Sequence, residues 1–285
     1  MAISAAMVKE LREKTGAGMM DCQRALAEAG CDMDEAVKVL RKKGLAAAAK
    51  KAGRSAKDGL VAFSVASDAR QAAMVEVNCE TDFVARTEEF QGFVKAIADQ
   101  VLAERLTDLA AAMQRPAAFD PEHTIEQAVA AKIAKIGENI LLSRIAYMAA
   151  GEGSQLGSYL HMGGKIGVLV ELGAGADEET VKDVAMHIAA ADPRFVRSDE
   201  IPAEVIAEER EIARAQAAAA GKPEQVLDKI ADGKVAKFYE LACLLDQPFV
   251  KDPAQTVGGM LKAKGDLPVV RFIRFRLGEG AAVAQ

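Results

Sequence analysis

Apolar positions at the start of the chain recur at helical spacing in three short runs, each closed by a breaker. Met7–Lys14 turns Val8 and Leu11 inward, and Thr15-Gly16-Ala17-Gly18 ends it. A second run, from about Met20 to Ala29, puts Cys22, Ala25 and Leu26 on one face, and Gly30 supplies the stop. Asp32 is a candidate N-cap for a third run, with Glu35 placed to reach back to it. Ala36, Val37, Val39 and Leu40 form its stripe. The pattern predicts a three-helix docking module over residues 1–54, marginal by itself because so small a core buries little surface. Ala46–Ser55 is Ala-rich and then basic, and reads as a helical or loose linker with a solvated cationic face.

Beyond the linker the period changes from helical to alternating. Gly59–Ser67 places Val61, Phe63 and Val65 on one side, and Ala73, Val75 and Val77 return after the Ser67-Asp68 turn. This is a β-hairpin pattern. Thr87 then caps a helix with Glu88 and Glu89 in its first turn, where the helix dipole favours acids. Its stripe is Phe90, Phe93, Val94, Ile97 and Val101. A weak copy follows at Gly157–Ala191: Leu169–Leu172 parallels Met74–Val77, Asp177-Glu178-Glu179 parallels Thr87-Glu88-Glu89, and Val181, Val184, Ala185 and Ile188 repeat the stripe. The two copies differ in one connection. Thirteen positions separate Val77 from Phe90, but nine separate Leu172 from Val181. The four extra residues fall at Thr81-Asp82-Phe83-Val84.

The remaining segments complete an α+β fold. Thr124–Met148 is mostly helical through Ile125, Val129, Ile133 and Ile136, until Gly137-Glu138-Asn139 interrupts it. Ile140–Tyr147 then reads as a strand entering the second subdomain. His161–Lys165 is the turn of the second hairpin. Its Gly-Gly-Lys lacks the spacing of a phosphate loop and opens no helix. Pro202 and Pro223 suit the first turns of two helices, Ala203–Ala220 and Glu224–Tyr239, which form an antiparallel hairpin. Val205 and Ile212 face one side of the first, and Val226, Ile230 and Phe238 lie along the second. Arg271–Leu277 alternates Ile273, Phe275 and Leu277 with Arg274 and Arg276, a strand with one wet face. The expected organisation is residues 1–54 as the three-helix module and 55–140 as a first core subdomain. A second core subdomain is expected over 141–200 and 240–277, interrupted by the hairpin at 201–239 and followed by a loose tail at 278–285.

Composition narrows the function. Apolar residues make up 51% of the 285, charged residues 27%, and the net charge is −6. A broadly acidic chain argues against nucleic acid as the main partner. No apolar run is long enough to span a bilayer and the first ten residues show no signal-peptide pattern, so a cytoplasmic protein is expected. Cys22, Cys31, Cys79 and Cys243 have no metal-ligand spacing and read as reduced thiols. Neither a metal nor a cofactor is expected.

The stretch Glu80–Val84 stands out chemically. It sets an acid beside an aromatic in a connection that normally would be polar. Burial of a Phe ring is worth about 1.5–3 kcal/mol, so Phe83 either folds back on its own subdomain or enters a partner. Met19 and Met20 are adjacent and cannot both face one stripe. At least one is exposed at a turn, where a flexible thioether suits a partner, or both cover the end of the bundle. Asp82, Glu80 and His161 could be imagined as acid–base groups, but no nucleophile motif or metal set accompanies them. An adaptor that binds proteins through its bundle is the other reading, and it has no use for the extra loop.

Several stretches together resemble the bacterial elongation factor Ts family. They are Val8–Arg12, Thr15–Asp21, Val77–Ala85, Lys135–Asn139 and Ile166–Val170, and the likeness runs to about Gly280. The resemblance implies a factor that promotes GDP release from elongation factor Tu without covalent chemistry. It implies a ubiquitin-associated-like bundle docking on the GTPase domain, with contacts through Met19 and Met20. It places Thr81, Asp82, Phe83 and Val84 beside the nucleotide, where the ring disturbs Mg²⁺ and phosphate contacts. Ile136 matches a further contact, and His161 one with the third domain of elongation factor Tu. Helical hairpins at this position mediate homodimers in some members. Members often continue into a C-terminal helix, where this chain has a short Ala-rich tail.

Overall fold

Small polar caps set where most helices begin. Ser4, Asp32, Thr87, Thr124 and Asp177 each accept a backbone N–H from the first turn that follows. In this computed structural model residues 3–279 are described, so all but the first two residues of the expected tail lie outside them. Helices α1 (Ala5–Thr15), α2 (Met19–Glu28) and α3 (Met33–Lys51) close around Leu11, Cys22, Ala25, Leu26, Ala36 and Val37. Gly16 ends α1 in the left-handed conformation, φ 67°. The Ala-rich segment is the last two turns of α3, since nothing in it breaks the helix before Lys51.

The core is α+β, and each half repeats one full unit. The first contains β1 (Asp58–Val65), β2 (Gln71–Cys79), α4 (Asp82–Ala85), α5 (Glu88–Glu104), α6 (Leu109–Met113), the ribbon β3 (Pro116–Ala117) and β4 (Asp120–Thr124), α7 (Ile125–Ile136) and β5 (Leu141–Ala149). The second contains β6 (Gln155–His161), β7 (Ile166–Leu172), α8 (Glu178–Ala191), α9 (Ala203–Ala219), α10 (Glu224–Ala242), the ribbon β8 (Pro248–Phe249) and β9 (Asp252–Thr256), α11 (Val257–Ala263) and β10 (Val269–Arg276). The sheets are antiparallel, in order β1-β2-β5 and β6-β7-β10. The strand expected to enter the second subdomain therefore belongs to the first: β5 runs along β2, with Val75 opposite Ile145. It is the counterpart of β10. The ribbons match residue for residue, Pro116 opposite Thr124 and Pro248 opposite Thr256.

Both faces of each sheet are covered. Ala73, Val75 and Val77 pack on Phe90, Val94 and Ile97 of α5 and on Val129 and Ile133 of α7. The alternate residues Ala72 and Met74 meet Leu169 and Phe275 of the other sheet. The far side of the second sheet packs Val168 and Val170 on Val184 and Ile188 of α8 and Leu261 of α11. The layers run helices, sheet, sheet, helices. Two buried carboxylates sit on the central strands. Glu76 accepts from Arg144 Nε at 2.6 Å and from the Gly278 N–H at 2.8 Å. Glu171 accepts from Arg271 Nε at 2.8 Å and from the Gly151 N–H at 2.7 Å. Each arginine also donates to a carbonyl on the other half, Arg144 to Arg276 O and Arg271 to Ala149 O, both at 2.8 Å. The pairs form a reciprocal clasp between the halves. Burial raises the Glu171 carboxyl, but the Gly151 N–H and Arg271 outweigh it and hold that group below its ordinary value.

Two packing expectations are corrected. In the α9–α10 hairpin the seam is made by Ala213, Ala217, Leu227, Ala231 and Val235, while Ile212 and Val226 are exposed. Alanines let the helices approach closely, so the larger side chains turn outward. Both prolines sit at the N-cap, one residue before the first turn. Arg274 is not on a wet face. Its head lies against the end of α8, 2.8 Å from Asp192, with its side chain almost fully covered.

His187 on α8 holds the second ribbon. The Val250 N–H donates to its Nδ1 at 3.2 Å, so the ring carries its proton on Nε2 and donates to Gln247 Oε1 at 2.9 Å. Gln247 in turn donates to the last carbonyls of α8 and α10, Ala191 O and Leu241 O. Burial lowers the His187 pKa from the ordinary 6.5, against the opposing effect of Gln247. Below 6.5 the unfolded chain takes up a proton that the folded one refuses, so stability falls as pH falls. The slope from this group is at most about 1.4 kcal/mol per pH unit, the limit set by one proton. Urea unfolding of the native chain and of His187→Asn between pH 7.5 and 5 checks it. The variant should show the shallower dependence; equal slopes would refute it.

Candidate functional site

The extra stretch between β2 and α5 is a single helical turn rather than an open loop. Thr81 is its N-cap, with the Val84 N–H 3.4 Å from its Oγ1, and α4 is the four residues Asp82–Ala85. Val84 and Ala85 pack on the first core, and this fixes the turn to the subdomain. Phe83 points the other way and is 79% exposed. No large apolar side chain among the described residues is more open. Asp82 pairs with Arg86 at 2.7 Å on the surface.

A second element grips the same turn. Gly137 ends α7 at φ 91°, and the reversed chain brings Glu138 to the end of β2. One carboxylate oxygen accepts from the Glu80 and Thr81 N–H groups, both at 3.0 Å. The other accepts from Thr81 Oγ1 at 2.6 Å. Glu80 answers by accepting from the Asn139 N–H at 2.6 Å, with Arg54 Nη1 3.5 Å away. Asn139 Nδ2 donates to Arg54 O at 2.9 Å, tying in the segment that follows α3. Cys79 lies beneath, its thiol pushed up to about 12 by burial and by the Glu138 charge, so it is no nucleophile at neutral pH.

The other candidates gather unevenly. Ile136, the last residue of α7, is partly buried against the first core, two positions before the gripping carboxylate. The Lys135 side chain runs along Gly16, so the turn leading to Met19 and Met20 borders this end of α7. A cleft of about 270 Å³ separates bundle from helix there, walled by Gly18, Asp21, Arg41 and Lys135. Met19 and Met20 open α2 and are both exposed, at 61% and 64%. His161 stands on the other half, at the end of β6, where its ring stacks on Tyr159. Its turn touches the first half: Gly164 O accepts from the Val61 N–H at 2.8 Å, and Lys165 pairs with Asp58 at 2.9 Å. A side chain at Gly164 would collide with Leu60, and its φ of 92° also demands glycine.

Chemically the arrangement offers a surface. Glu80 is spent on Asn139, Asp82 on Arg86, and His161 lies beside Tyr159, so the three acid–base groups do not converge. Among the described residues no three His, Cys, Asp or Glu side chains are grouped to hold a metal, and no helix is long and apolar enough to cross a membrane. Sequence reasoning passed over Glu138. Its signal was a helix-ending glycine followed by two side chains able to bond backbone groups.

Known proteins agree with one another on the family. The family model described as "Elongation factor TS" matches residues 80–279. The elongation factor Ts of Methylococcus capsulatus is 49% identical over 283 residues, and that of Thioalkalivibrio sulfidiphilus 48% over 280. The elongation factor Ts of Trichlorobacter lovleyi is 45% identical over 293 aligned positions. Each match covers 98% of this chain and 94% of the relative. From Glu80 through the gripping turn to the end of β10, this chain belongs with those relatives, in the elongation factor Ts family of translation elongation factors.

Proposed function

We propose that the chain is the guanine-nucleotide exchange factor of elongation factor Tu, a cytoplasmic protein acting by contact alone. The observation that carries this reading is Phe83, an aromatic ring held open to solvent on a turn whose backbone is bonded in place. A ring presented this way costs little ordering when it enters a partner. Thr81, Asp82, Phe83 and Val84 form the element that reaches the partner's nucleotide site. Phe83 wedges into the GTPase domain. Asp82 gives up its Arg86 pair at little cost, since an exposed pair is worth about 0–1 kcal/mol. Met19, Met20 and Ile136 widen the contact with the same domain, and His161 reaches the third domain.

Linkage supplies the mechanism. A protein that binds nucleotide-free Tu more tightly than Tu·GDP must weaken GDP by the same factor. The wedge is compatible with the empty site and conflicts with the Mg²⁺ and phosphate contacts that hold GDP. GDP leaves, and GTP later displaces the factor. The test is release of fluorescent GDP from purified elongation factor Tu with the chain added in catalytic amount. Accelerated release supports the reading, and Asp82→Ala is expected to lower it about tenfold or less, an ion-pair-sized effect. Binding without acceleration would leave a protein-binding adaptor instead.

A further inference from the structure

We propose that Glu138 is a positioning residue for exchange, setting the height and angle of Phe83 through the Thr81–Ala85 turn. The proposal rests on the exchange reading above. Three donors converge on this one carboxylate, two from consecutive backbone N–H groups and one from a hydroxyl. Charge-assisted bonds of that kind are short, directional and about twice as strong as neutral ones. All three donors lie within four residues of Phe83, and the acceptor lies two residues beyond Ile136. The carboxylate thus fixes two proposed contact points relative to each other. The return bond, Asn139 N–H to Glu80, makes the link reciprocal, so the turn cannot rise from α7 without breaking both.

The second half of the molecule serves as an internal control. There the chain passes from β7 to α8 without a helical turn between them, and the Gly173 N–H to Pro268 O bond, 2.8 Å, continues the β7–β10 ladder as the Asn78–Leu141 pair continues β2–β5. The repeat unit reaches the same fold without a helical turn at this connection. The extra connection in the first half coincides with a side-chain grip at its start, on Glu80 and Thr81. That coincidence favours a role in presenting the turn over a role in folding the unit.

The effect should pass through the ring. Glu138→Ala is expected to slow catalysed GDP release about tenfold at saturating factor, and Glu138→Gln, which keeps an acceptor for the two N–H groups, by threefold or less. In the Phe83→Ala background the same Glu138→Ala change should add less than about twofold, because a misplaced ring that is already absent cannot be lost again. Amide hydrogen exchange at Glu80 and Thr81 should quicken in Glu138→Ala whatever the exchange assay gives. Thr81→Val, which removes one donor together with the Oγ1 cap of α4 and leaves the carboxylate, should show the same non-additivity with a smaller loss, and decides the matter if Glu138→Ala does not fold. A Glu138→Ala loss of equal size with and without Phe83 overturns the proposal, as does unchanged release while the two amides open. A native chain that fails to accelerate release overturns the exchange reading itself, which is a separate outcome.

Discussion

Phe83→Ala is expected to cut the acceleration of GDP release about 10- to 100-fold. The estimate follows from the ring. Full burial of a Phe side chain is worth about 1.5–3 kcal/mol, and each 1.36 kcal/mol lost from the displacing complex is a factor of ten. Very little of that energy is used in the free protein, where the ring is 79% exposed. Thermal unfolding of the variant should therefore match the native chain within about 0.5 kcal/mol. The combination is diagnostic: a large loss of exchange with unchanged stability places the ring's partner outside the chain. Stopped-flow release of fluorescent GDP, with calorimetry on the same samples, makes the comparison. A release rate within twofold of native would remove Phe83 from the mechanism. A drop in stability would mean that the ring spends part of its time folded back on its own subdomain.

Much of this region was legible because it breaks a repeat. Thirteen positions against nine, with Phe among the extra four, needed only the sequence compared with itself. The caps were legible too, since Thr87 and Asp177 are polar residues directly before apolar stripes. The full extent of the repeat was also written in the chain but harder to see. Pro116, Asp120-Pro121 and Thr124 recur as Pro248, Asp252-Pro253 and Thr256, each leading into a helix capped by the threonine. The motif hides because the hairpin from Ala203 to Ala242 stands before its second occurrence. Missing it moved β5 to the wrong half. The hairpin seam failed for another reason: hydrophobicity ranks Ile212 and Val226 above Ala213 and Ala231, while close helix packing selects the small residue. Arg274 and Glu138 share a third reason. A charged side chain on a strand or turn reads as a wet position, and only the tertiary structure brings the Asp192 carboxylate or the backbone amides that satisfy it.

The clasp between the halves should give the largest loss of stability. Glu76→Ala is expected to cost about 3–5 kcal/mol, because it takes from Arg144 its buried carboxylate partner and leaves only Glu279, half exposed and 3.8 Å away. Glu76 is fully buried, Arg144 is three-quarters covered, and its guanidinium lies 4.2 Å over the Phe275 ring. The Gly278 N–H loses its acceptor at the same time. Truncating both members tells removal of a contact from abandonment of a charge. Glu76→Met with Arg144→Met should recover much of the loss, since apolar replacements often equal a buried pair in stability. Urea unfolding of the two single variants and the double gives the coupling directly. The two pairs are crossed, each carboxylate taking an N–H from the other half, so weakening one should also loosen the other sheet. Glu171→Ala is then expected to resemble Glu76→Ala, and in both the single unfolding step should begin to divide. A Glu76→Ala cost below about 1 kcal/mol would mean that the apolar contact of Met74 and Leu169 with Phe275 holds the sheets together without the clasp. A full cost shows that two charged pairs fix the angle between the halves, and with it the placement of His161 relative to Phe83. The clasp would then decide how many of the chain's contacts a partner can meet at once.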